Sequence, residues 1–163
     1  MTESDELRED YLALRESATS VQLATVNEDN RPEASYAPCV WFENDCYLFL
    51  SRLSSHTGNL VNNPSISLLI LDDAAAAANA FARKRASLHG TARIIARDDA
   101  AFAGVLRLFH QRFGKVMEII EPLPDFHLFR VDLQSGSFIR GFGQAYELSG
   151  TGLSQLTPVD PRN

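Results

Sequence analysis

The sequence predicts a β-rich α+β fold, an antiparallel barrel with peripheral helices, on three observations. Six or seven short apolar or alternating segments are separated by turn-forming residues, only two segments keep a helical period for long, and no repeat or low-complexity linker divides the chain. At 163 residues the chain is long enough for one domain with a real core and too short for two ordinary ones. Its 45% hydrophobic and 22% charged residues are a globular composition.

Residues 4–18 read as a helix because Leu7, Tyr11, Leu14 and Ala18 recur at helical spacing, with Thr2 or Ser4 available as a cap. Residues 21–26, 33–42 and 46–51 read as successive strands, parted by the turn-rich stretches NEDNRP and ENDC. A short helix and an Asn-Pro pair, Asn63-Pro64, lead into an Ile- and Leu-rich strand at 65–71. The alanine-rich stretch 72–80 is expected to be a surface connection with some helical character, since a two-turn alanine helix has little to bury.

Residues 85–95 alternate: Ala86, Leu88, Gly90, Ala92 and Ile94 on one side, Ser87, His89, Thr91 and Arg93 on the other, the pattern of a half-buried strand. Gly90 inside it predicts a bulge or the close approach of another group. Residues 98–113 form an amphipathic helix with Phe102, Val105, Leu106, Phe109 and Phe113 on its apolar face, and Gly114 ends it. After the breaker EPLP, strands are expected at 126–133 and 137–148, followed by a loosely held tail. The organisation is thus an N-terminal helix (1–19), a barrel domain (20–148) and a C-terminal tail (149–163).

The net charge of −6 argues against a nucleic-acid partner, and the one basic run, Arg83-Lys84-Arg85, is too small for such a surface. Cys39 and Cys46 lack any metal-ligand spacing, so no metal site is expected. The acidic N-terminus carries no apolar signal segment and no run approaches a membrane span, which gives the expectation of a cytoplasmic protein with reduced thiols.

Chemistry concentrates between residues 49 and 71, where an apolar strand meets a turn crowded with Ser51, Arg52, Ser54, Ser55, His56 and Thr57 at the start of a helix. Hydroxyls, a guanidinium and unpaired helix-start amides suit a phosphate, and on local chemistry alone they suit an ordinary surface cap equally well. His56 is the best functional candidate of the four histidines. His89 could line a site or face water, His110 reads as structural, and His127 as a solvent or edge residue.

The order of apolar strand, S-R-x-S-S-H, short helix, N-P and apolar strand resembles the FMN-binding split barrels related to pyridoxamine 5′-phosphate oxidase. Adding LATV at 23–26, RPEASYAP at 31–38, RASLHGTARI at 85–94, PDFHLFRVD at 124–132 and GFGQAY at 141–146, the chain is most similar to the haem-utilisation (HugZ/HutZ-like) branch. The resemblance implies a six-stranded split β-barrel with flanking helices, assembled as a homodimer with a small-molecule cofactor at the subunit interface. It implies FMN as cofactor, an oxidoreductase role, and Ser35, Tyr36, Ser51, Arg52, Ser54, Ser55, His56 and Thr57 as cofactor-binding residues, Ser55-His56 standing where the superfamily has Arg-Lys. No catalytic residue is assigned, and no basic constellation for a second phosphate is found.

The alternatives are a haem-binding protein on the same fold and a cofactor-free dimeric module. Haem-binding members look to a C-terminal histidine, yet no histidine, cysteine or methionine follows Tyr146 here. A haem iron would therefore be ligated weakly, from His56, His89 or Tyr146.

Overall fold

The computed structural model describes residues 1–73 and 79–162. The helix α1 (Glu3–Ser17) opens with a reciprocal cap: Asp5 N–H donates to Thr2 Oγ1 at 3.2 Å and Thr2 N–H to Asp5 Oδ2 at 2.9 Å. Its inward residues Leu7, Tyr11 and Leu14 join the main core, where the Tyr11 ring meets Phe138 edge-on at 5.7 Å.

Six strands close a barrel: β1 (Ser20–Val26), β2 (Pro32–Phe42), β3 (Asp45–Ser51), β4 (Ser65–Leu71), β5 (Arg85–Ile95) and β6 (Phe126–Gly141). Neighbours run β3-β2-β1-β4-β5-β6, every pair is antiparallel, and β6 returns to pair with β3 over Cys46↔Val131 to Ser51↔Phe126. The α+β, six-stranded split-barrel expectation is met. Closure explains why β3 is buried from Cys46 to Leu50: its inner face fills the barrel with Cys46, Leu48 and Leu50, and its outer face takes a helix against Tyr47 and Phe49. That helix is α3 (Ala100–Phe113), capped by Asp99 and ended by Gly114 at φ +69°, with Phe102, Val105, Leu106 and Phe109 buried. The short helix α2 (Ser55–Asn62) packs against β1.

Several expectations need correction. The two strands expected at 126–133 and 137–148 are not separate at their junction: β6 runs unbroken through Gln134-Ser135-Gly136, because the long β5 pairs with it from Arg85↔Ile139 to Ile95↔Leu128. The chain turns at Gly141 instead, into β7 (Gln144–Ser149). The tail is not loosely held. A further strand, β8 (Gln155–Pro158), pairs with β7, and Val159 N–H donates to Ala145 O at 2.9 Å. Helix α4 (Val116–Ile120) follows α3 directly and buries Met117. In β5 the alternation is obeyed from Ala86 to Ala92, but Ile94 is 45% exposed. Most of the alanine-rich connection, 74–78, lies outside the described residues.

Gly90 sits where the β5–β6 register shifts: His89 faces Ser135 and Gly90 faces Leu133, leaving Gln134 as the extra residue. A Cβ at position 90 would run into the Asp132 carbonyl oxygen, so the close approach expected there is real. Cys39 and Cys46 are both free thiols and both buried in the main core. Among the described residues no three His, Cys, Asp or Glu side chains cluster as a metal site, and no helix is long and apolar enough to cross a membrane.

Candidate functional site

Two places on the barrel carry chemistry. The first is the start of α2, which packs over β1 and β2 and gathers most of the residues expected at a phosphate. Ser51 Oγ donates to Asp125 Oδ2 at 2.6 Å and accepts from Leu53 N–H. Thr57 Oγ1 donates to the Ser51 carbonyl at 2.5 Å, folding the turn onto the helix. Arg52 Nε donates to His127 Nε2 at 2.8 Å, which ties its guanidinium to β6. Ser54 is the N-cap by backbone conformation, yet its hydroxyl makes no capping bond. Beside the turn lies a hollow of about 200 Å³ lined by Arg52, Thr57, Gly58, Val61 and Asn62.

Two residues that sequence reasoning missed organise this cluster. Glu33 accepts from Ser55 Oγ and Asn59 Nδ2, both at 2.9 Å, and from Asn27 Nδ2 at 3.3 Å. Those donors, Asn59 first, hold its carboxyl below the usual carboxylate range, so it stays ionised beside α2. Asn59 also donates to Thr25 Oγ1, pinning α2 to β1. The signal was present: Glu33 is two residues from Ser35 on β2 and shares its face, and Asn59 is one turn beyond Ser55. An acid already seated on Ser55 opposes a phosphate there.

Ser35 and His56 do meet, Ser35 Oγ lying 2.8 Å from His56 Nδ1, with the imidazole only 6% exposed and its pKa pushed down by burial. Tyr36 does not belong with them. Strand alternation sends it to the outer face of the barrel, where it is 60% exposed, opposite to the face that carries Ser35. The expected set is thus divided between the two faces of β2.

The second place is on that outer face. Registers Ala34↔Ala24, Ala24↔Ser67 and Ser67↔His89 set four residues in a row across β2, β1, β4 and β5. Next to this row a groove of about 410 Å³ is lined by Ala24, Ser65, Ser67, His89, Gly90 and Gln134, among others. Ser67 Oγ lies 2.8 Å from His89 Nδ1. Ala24, Ser65 and Ser67 bring small side chains to it, and His89 brings an imidazole.

A closed antiparallel six-stranded barrel with a short helix packed on β1 and an open outer face defines the split-barrel class of cofactor-binding folds. The chain matches the pyridoxamine 5′-phosphate oxidase family over residues 7–140 and belongs to it. It is 35% identical over 146 residues, 90% of its length and 83% of the relative's, to the heme oxygenase HutZ of Vibrio cholerae serotype O1. The crystal structure of HutZ, there described as the heme storage protein of Vibrio cholerae, superposes with a TM-score of 0.72 at 32% identity, over 82% of this chain and 92% of that one. Campylobacter jejuni ChuZ superposes with a TM-score of 0.87 at 29% identity, over 98% of this chain and 64% of that one.

Proposed function

We propose that this protein binds and handles haem, not FMN, as a homodimer in the cytoplasm with its thiols reduced. The observation that carries the reading is the similarity to HutZ along nine-tenths of the chain, on a scaffold whose outer face keeps a groove with a histidine in it. The residues present fit the group by their chemistry. The small side chains of the groove would let a flat ring lie close to the backbone, and His89 offers an imidazole. Arg31, next to the groove-lining Pro32, is exposed and has, among the described residues, no side-chain partner for its guanidinium, the chemistry that seats a carboxylate such as a propionate. The iron porphyrin would supply any redox chemistry, and the protein's share is to bind it, orient it and exclude water.

FMN remains the second reading on two observations: the Ser54 hydroxyl makes no capping bond, and a hollow lies beside Arg52 at the start of α2. Against it stand the Glu33 carboxylate on Ser55 and the engagement of Arg52 with His127. On the flavin reading, Ser35, Ser51, Arg52, Ser54, Ser55, His56 and Thr57 would surround the phosphate, and Tyr36 would lie apart from it.

Titrating the purified protein with haemin and, separately, with FMN distinguishes them. Haem handling predicts a saturable Soret change and no saturable quenching of flavin fluorescence. If FMN saturates and haemin does not, the flavin reading replaces this one. In that case Arg52→Ala should weaken FMN by roughly 1.5–3 kcal/mol, the worth of a hydrogen bond to a charged group, and leave riboflavin unaffected.

A further inference from the structure

We infer that His89 would hold the haem iron through its imidazole, oriented by Ser67 and by the β-bulge beside it. The inference rests on the haem reading above and deepens it.

The other three histidines are committed elsewhere. His110 Nε2 is bound to Glu121 Oε2, with that carboxylate lying against the last turn of α3. His127 Nε2 receives the Arg52 Nε–H. His56 is enclosed between α2 and β2 against Ser35, where a macrocycle could reach it only by lifting the helix. His89 combines an exposed ring, an occupied Nδ1 and, among the described residues, an Nε2 with no protein partner. In the tautomer whose Nδ1–H donates to the Ser67 hydroxyl oxygen, the lone pair is on Nε2, the form that binds a metal through that atom. A second hydrogen bond of this kind fixes tautomer and ring direction in metal-ligating histidines.

Tyr146 is less suited. Its ring is half-buried against Phe138, centroids 6.4 Å apart, on the side of the sheet that joins the core.

The backbone around His89 is also shaped for a site. The register shift places the extra residue, Gln134, directly across from the His89–Gly90 step, and both sides of the bulge line the groove. Bulges recur next to functional sites because they re-aim a side chain that regular pleating would point elsewhere. Here the close approach of the Asp132 carbonyl requires glycine at position 90, the residue after His89, and so holds the bulge in place on that step. Ala24, Ser65 and Ser67 line the same groove with small side chains.

Ferric haemin is titrated into the wild type, His89→Ala, His56→Ala and Ser67→Ala, and followed by Soret absorption and electron paramagnetic resonance. The wild type and His56→Ala should give the same imidazole-ligated spectrum. His89→Ala should lose it and regain it on addition of free imidazole. Ser67→Ala should keep the spectrum while losing about 10–100-fold in affinity, the usual effect of removing an outer hydrogen bond. A His89→Ala complex with wild-type spectrum and affinity overturns the ligand assignment and leaves haem binding standing. A wild type that shows no saturable haemin binding overturns both.

Discussion

The imidazole of His56 is enclosed between α2 and β2 with its Nδ1 2.8 Å from Ser35 Oγ, and burial pushes its pKa below the ordinary histidine value. His127 is shifted the same way, by burial first and then by the charges of Arg52 and Arg97. A histidine whose folded pKa is depressed takes up more protons when unfolded. Stability therefore rises with pH, is fully present above about 6.5, and is lost as pH falls through that value toward the folded pKa. Urea unfolding measured between pH 5 and 8 should show this loss in the wild type and a shallower one in His56→Gln; equal slopes would remove His56 from the account. Legibility at this scale follows distance along the chain. The α2 cluster was readable because its residues fall within seven positions, whereas the Arg52–His127 bond spans 75 residues and depends on β3 closing onto β6, which no local pattern announces. Glu33 stands two positions before Ser35 on the same face of β2, but its contact with Ser55 spans 22 residues and depends on α2 packing back onto that strand.

At the scale of elements, the β5–β6 ladder carries both the fold and the groove. Replacing Gly90 by Ala puts a methyl group onto the Asp132 carbonyl, and backbone on both sides resists moving. A loss of about 1–3 kcal/mol is expected from such overpacking, read as a fall in the urea midpoint at unchanged m-value. Because the strained step adjoins His89, haemin affinity should fall with it; a loss under about 0.5 kcal/mol would show that the bulge absorbs a side chain freely. Elements with a strong period were legible, as α1, α3 and the alternating part of β5 show. What failed to show was settled by partners. Residues 134–136 read as a break but stay extended because β5 supplies a ladder for them. Strand β8 is four residues of weak pattern that exist as a strand because β7 offers an edge. Helix α4 is five residues long, too short to declare itself, and is held from outside: Arg97 donates to the carbonyls of Glu121, Leu123 and Phe126, and His110 binds the Glu121 side chain.

For the whole molecule, the outer face of β2, β1, β4 and β5 is the surface that remains to be explained. Helices α1 and α3 and strands β7 and β8 cover other parts of the barrel, while this face presents Tyr36 at 60% exposure in register with Gln22, itself opposite Leu69. Around them stand the small side chains of Ala24, Ala34 and Ser67. A twofold copy set on that face would bury each Tyr36 against the other's small residues and would roof the groove in which His89 stands, giving a flat ligand a second wall. Assembly and cofactor binding are then one equilibrium seen from two sides, so each should strengthen the other. Light scattering at micromolar concentration should return twice the chain mass for the wild type. Tyr36→Arg places a charge on each side of the twofold and should shift the protein toward monomer. Haemin affinity should drop in the same variant, although Tyr36 lies outside the residues that line the groove. A monomeric wild type would refute the dimer. A dissociated Tyr36→Arg that binds haemin as tightly as the wild type would show that one protomer holds the ring unaided.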